Sequence, residues 1–222
     1  MVALVVEGSV THRHRAERGI VHLTLGFDGD DREQVAADAI GLHNEVAEQA
    51  TRHRRSGAAT WWTAQNVTTG PVREWVDGGS GHAQEARVVF RSRSRVDVRF
   101  QDFDALASWI AELVDRDGVS IDGIDWSLGH ERRDEVEREA RIAAVTDAVA
   151  RAGDYATALG LAAPRLETLY EAGLRPAGGG AAAFGLARSM ASGPGEAYDL
   201  NPADIEVTVT VSADFVAEPL AP

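Results

Sequence analysis

The sequence predicts an α+β protein: an antiparallel or mixed β-sheet with helices packed on one face, in the order ββαββαβαββ. Three observations predict it. Stretches with strand-like alternation come mostly in pairs separated by helical stretches, without regular βαβ alternation. One long alanine-rich stretch, Asp134 to Gly160, has helical periodicity over its whole length. The last alternating stretch, Ile205 to Phe215, follows a long segment rich in glycine and alanine, so it returns to pair with a strand inside the sheet.

The elements follow in order. Residues 2–15 and 19–28 read as strands; in the second, Val21, Leu23, Leu25 and Phe27 alternate with His22, Thr24 and Gly26. Ala16 to Gly19 between them is short enough for a hairpin turn, which would bring His22 near Arg13. Asp30 and Glu33 have capping-box spacing. A helix then runs to about Arg54, with Val35, Ala39, Ile40, His43, Val46 and Ala50 inward. Residues 59–69 and 84–100 read as strands, rich in aromatic and β-branched side chains. The glycines around Asp77 to Gly81 make the connection between them a loop or hairpin tip. Asp102 caps a short helix whose buried face is Phe103, Leu106, Ala107, Ile110, Leu113 and Val114. Residues 119–128 form another strand.

The long helix comes next. Val136, Ala140, Ala144, Ala148, Ala152, Tyr155, Ala156 and Leu159 make its apolar stripe, and the alanines permit a very close approach to whatever lies beneath. Asp134–Arg138, Glu137–Arg141 and Asp147–Arg151 place an acid four residues before an arginine, the favourable order for helix surface pairs. Gly160 fits a C-cap and Pro164 stops continuation. A strand follows Pro164, and residues 173–203 read as a flexible Gly/Ala-rich loop. The 222 residues are enough for one large domain or two small ones, and the expectation is a single domain over 1–222.

Composition excludes several chemistries. The chain has no cysteine, which removes thiol catalysis, disulfides and cysteine-type zinc sites. All 22 basic residues are arginine, so neither a Schiff-base lysine nor a phosphate-loop lysine is present. The net charge of −13 repels nucleic acid and anionic membranes. No apolar run reaches the roughly 18 residues of a membrane span, and the opening residues lack a signal-peptide pattern. The expectation is a cytoplasmic protein with no nucleic-acid partner and no membrane insertion.

The opening VEGSVTHRHRAERGIVHLTLGF, the strand TWWTAQNVTT at 60–69, the helix ARIAAVTDAVARAGDYATALG and the closing LNPADIEVTVTVSADF appear in an order and spacing that resembles the SIMPL-domain family, over nearly the whole chain. Ala16-Glu17 stands where the family usually has Pro-Asp. Many bacterial members are periplasmic and carry a signal peptide, which this opening lacks. The resemblance brings no catalytic residues, and it implies a tendency to form homo-oligomers.

Candidate residues remain. Trp61 and Trp62 face opposite sides of one strand; Trp62, with Trp75 in the connection beyond, is the candidate aromatic contact for a partner. Arg87, Arg91, Arg93, Arg95 and Arg99 share one strand face, readable as an anion site, a charge-protected sheet surface or half of a subunit interface. His12 and His14 share a face and could hold a metal, but metal sites need three or four ligands and no third stands near. Asp28, Asp30 and Asp31 lack calcium-loop spacing. GGG at 178–180 lacks phosphate-loop context, and Ser80 with His82 makes no triad. His82 and His130 are the residues a hydrolytic reading would rest on. No catalytic motif stands out, and no cofactor is implied. The reading is a non-enzymatic protein whose partner is itself, or another protein. The alternative is a small-ligand or metal-binding module using the His/Arg opening and the arginine-rich strand.

Overall fold

The computed structural model describes residues 1–76, 85–175 and 200–220. In order, its elements are β1 (Val2–Arg15), β2 (Arg18–Gly29), α1 (Arg32–Ser56), β3 (Ala59–Ala64), β4 (Thr68–Val76), β5 (Glu85–Phe100), α2 (Phe103–Leu113), β6 (Val119–Ser127), α3 (His130–Ala158), β7 (Arg165–Glu171) and β8 (Asp204–Ala217). The α+β class holds, with two antiparallel sheets rather than one and with an extra strand, β4. These elements divide into two compact units.

The first unit contains β1, α3, β7 and β8, with strand order β1-β8-β7. No hairpin joins β1 to β2. Instead β1 pairs along its whole length with β8, from Val2 opposite Ala217 to Arg15 opposite Asp204. The even residues of β1 and the odd residues of β8 face α3. Val6, Val211, Ala213 and Phe215 pack there against Ala144, Ala148 and Ala152. The seam is so tight that it requires glycine. A Cβ at Gly8 would overlap the Ala144 carbonyl oxygen and lie 2.6 Å from the Ala148 nitrogen. The predicted stripe is buried from Val136 to Ala156 in steps of four. Two predicted members, Tyr155 and Leu159, are exposed instead, because each stands one position off this row of fours, about 100° around the helix. The helix starts at His130, four residues before the predicted Asp134. On the opposite sheet face, Ser9–Thr210 (3.0 Å) and Thr11–Thr208 (2.8 Å) are hydroxyl pairs, and Arg13 Nε donates to Glu206 at 2.7 Å.

The second unit contains β2 to β6, α1 and α2. Its sheet order is β3-β5-β2-β6, and β4 pairs with the other end of β5. Thus β3 and β4 are successive parts of one edge: β3 lies along Val96–Phe100, β4 along Glu85–Arg93. Residues 70–76, expected to belong to the connection, are strand, and edge position explains why Pro71 is tolerated. One face carries α1 and α2 over a core of Val21, Leu23, Leu25, Val96, Val98, Phe100, Leu106, Trp109, Ile110 and Leu113.

Several inward positions differ from those predicted. In α1 it is Leu42 that is buried, while Ile40 is exposed; in α2 Trp109 is buried and Val114 exposed. The α1 cap is Asp31, not Asp30: its carboxylate accepts from the Glu33 and Gln34 amides at 2.8 and 3.2 Å. Asp102 caps α2 as predicted, accepting from the Ala105 amide at 3.0 Å. The predicted loop at 173–203 falls mostly outside the described residues, as do GGG at 178–180, Ser80 and His82.

Candidate functional site

The outer face of the five-stranded sheet, opposite α1 and α2, is built by alternation along β5. Ser92, Ser94, Val96, Val98 and Phe100 are buried under the helices, so Arg91, Arg93, Arg95, Asp97 and Arg99 project outward. Register brings partners to most of them. Asp28 stands opposite Arg91, and the Asp28 carboxylate meets Arg91 Nη2 at 2.7 Å and Arg93 Nη1 at 2.9 Å. Arg91 also reaches Glu74 at 3.4 Å, and Arg87 pairs with Asp30. The hydrogen bond from Arg91, reinforced by the charge of Arg93, holds the Asp28 carboxyl below the usual carboxylate range despite some desolvation. Arg99 Nε donates to the Thr60 hydroxyl at 2.8 Å, and its guanidinium lies 5.9 Å from the centre of the Trp61 ring. Arg95 is exposed, and no acid among the described residues pairs with it.

Next to the arginines is a histidine that the sequence did not single out. His22 Nδ1 lies 2.8 Å from Asp97 on β5, and Nε2 lies 3.4 Å from Asp125 on β6. Beside it, Thr24 donates to Asp122 at 2.6 Å. Asp122 stands out of register, where the β2–β6 ladder shifts between His22 and Leu23. Asp97, Asp122 and Asp125 therefore gather around β2, farther along the strands from the arginine cluster of Arg87, Arg91 and Arg93.

The tryptophans divide as alternation requires. Trp61 lies opposite Arg99 on the outer face and is 38% exposed; Trp62 lies opposite Val98 and packs against the core. The outward member of the pair is thus Trp61. Trp75, on β4, is 65% exposed.

His12 and His14 belong to the other unit. They face α3 together, with ring centroids 6.2 Å apart, and the Nε2 atom of each is buried with no hydrogen-bond partner. His14 Nδ1 lies 3.5 Å from Arg132 Nη2, a group that can only donate. Among the described residues no three side chains are grouped to hold a metal ion. His130 is exposed at the start of α3, 3.7 Å from Asp134. Beneath the five-stranded sheet, His43 Nδ1 and the Ser94 hydroxyl are 3.0 Å apart, with Ser94 buried under α1.

No helix among the described residues is long and apolar enough to cross a membrane. None of the curated proteins matches this sequence. The family model described as SIMPL, protein of unknown function (DUF541), matches residues 4–215 and so takes in every element from β1 to β8. The chain belongs to the SIMPL family.

Proposed function

We propose that this SIMPL-family chain is a homo-oligomeric scaffold or protein-interaction module that acts without catalysis. The observation that carries this reading is the outer face of the five-stranded sheet. It holds a partly exposed aromatic ring, paired charges and a histidine between two carboxylates. Protein interfaces combine such aromatic and arginine side chains with a polar surround. Nucleic acid suits the surface poorly. Arg87, Arg91 and Arg93 are already matched by Asp30 and Asp28, and the chain carries −13 overall. The test is the native mass by light scattering across a dilution series. Self-association predicts a multiple of 23.7 kDa that dissociates on dilution. A mass of 23.7 kDa at every concentration contradicts it.

A second reading, a small-ligand or metal module, draws on one observation: the two buried, unpartnered Nε2 atoms of His12 and His14. Buried polar nitrogens without partners are costly, and a ligand between β1 and α3 would satisfy them. Elemental analysis of the purified protein, with thermal shifts of H12A and H14A variants against divalent cations, tests it. Absence of metal and of any shift in the unsubstituted protein rejects it.

A further inference from the structure

The outer face of the five-stranded sheet is complementary to itself. On β5, Arg99 stands level with Ile20 and Arg95 level with Thr24. On β6, across β2, Asp125 stands level with Ile20, and Asp122 falls between the levels of His22 and Leu23. Arg95 and Arg99 thus flank β2 on one side, with Asp97 between them already beside His22 Nδ1 at 2.8 Å, and Asp122 and Asp125 flank it on the other, at nearly the same heights. Within one chain Arg95 and Asp122 are two strand spacings apart, about 10 Å, and the Asp122 carboxylate accepts from Thr24 at 2.6 Å rather than from Arg95.

We propose that a second copy of this chain docks face to face on this sheet, with the two-fold axis running along β2. This deepens the self-assembly reading above and rests on it. Rotation about that axis exchanges the two flanks and keeps the heights. Arg95 then meets Asp122 of the second copy, and Arg99 meets Asp125, each contact occurring twice. Stacked sheets lie about 10 Å apart, a gap that an arginine and an aspartate close from opposite sides. Charge also selects the axis. A two-fold axis across the strands would keep each flank in place, setting the carboxylates of β6 against those of the second copy. Along the chosen axis His22 faces its own copy, each ring already beside Asp97 and Asp125 of its own sheet. Trp61, stacked by Arg99, flanks the contact.

The isologous geometry gives a discriminating experiment, because each contact joins two different residues. In an R95E homodimer acid faces acid twice, and in a D122R homodimer base faces base twice. In a mixture of the two variants every contact is again between opposite charges. Light scattering at about 0.15 M salt is expected to give a dimer of the unsubstituted protein, at least tenfold weaker dimers for R95E and D122R alone, and recovery on mixing. Thermal unfolding by circular dichroism checks each variant. If D122R melts early through loss of the Thr24 contact, D122N takes its place, because its amide oxygen still accepts from the Thr24 hydroxyl while the charge is gone, and it must weaken the dimer. An unsubstituted protein that assembles while R95E assembles equally well overturns this interface and leaves self-assembly standing, as does a well-folded pair of variants that fails to recover on mixing. A monomer at every concentration overturns both.

Discussion

The two units solve the same packing problem in opposite ways. Under α3 the contact is made by small residues, with Gly8 against the backbone of Ala144 and Ala148. Under α1 and α2 it is made by large ones, with Trp109, Phe100 and a set of leucines filling the space. A seam of alanine and glycine gains little from each side chain, so it must gain by closeness. It tolerates no added atom. A core of large side chains gains by volume, so it tolerates no removed atom. The two helix systems should therefore fail under opposite substitutions.

The largest effect belongs to the large-residue core. Trp109→Ala removes a fully buried ring and strands the Gln49 side chain that accepts its indole N–H at 2.6 Å. The expected loss is about 4 kcal/mol in urea unfolding. Hydrogen exchange should accelerate in β2 and β5, and a loss under about 1 kcal/mol would contradict the assigned core. Next comes the seam, where Gly8→Ala adds a single methyl group. It should cost about 2–3 kcal/mol, because the atoms it meets are helix backbone and cannot rotate away. Exchange should then accelerate in β1 and β8 rather than β2 and β5. A neutral Gly8→Ala would mean that α3 does not lie as close as described.

Helix ends give a smaller contrast. Asp102→Ala should cost about 1 kcal/mol through the lost N-cap of α2. Gly129 at the start of α3 makes no side-chain cap bond, so Gly129→Ala should cost less, about 0.5 kcal/mol.

The last contrast is in pH. His53 packs edge-on against Phe100, at 5.1 Å between centroids, and 5.4 Å from Trp109. Burial holds its pKa below the usual histidine value, with Glu112 and Asp102 opposing that shift and Arg52 adding to it. The folded state therefore takes up this proton less readily than the unfolded chain. Its contribution is complete above the unfolded value of about 6.5 and is lost as pH falls through that value towards the folded one. His53→Phe should flatten the stability curve between about pH 7 and pH 5, and an unchanged slope would place its origin elsewhere. In the alanine seam the corresponding acid-sensitive group is Asp147. The Ser9 amide and then Arg151 lower its pKa, so its contribution should persist through that window and fade only in the carboxylate range.

How much of this was legible in the sequence follows from the range of each signal. The alanine stripe of α3 and its Gly160 terminus are local, and both were readable. The pairing of β1 was not, because alternation fixes which residues share a face and not which strand lies alongside. A short connection suggested a hairpin, while the true partner, β8, lies at the far end of the chain. The same limit applied to the site. Alternation placed Trp61 and Trp62 on opposite faces, but only the register with β5 shows that Trp62 is the inward one. The arginine row was visible as a row. Its partners Asp28 and Asp30 come from a neighbouring part of the sheet about 60 residues away, 63 and 57 respectively. His22 was invisible as a site because its two carboxylates are 75 and 103 residues distant.

Self-association through charged sheet faces has a distinctive salt dependence, and this is the measurement that tests the account most directly. Each copy carries −13, so at about 0.01 M salt, where screening extends to roughly 30 Å, the copies repel as whole bodies. At about 0.15 M that repulsion is screened while contacts between Arg95 and Asp122 persist, and at about 1 M the contacts weaken as well. Sedimentation equilibrium across this range should show association strongest near the middle, with a mass twice 23.7 kDa. A mass of 23.7 kDa at all three salt concentrations would contradict the account.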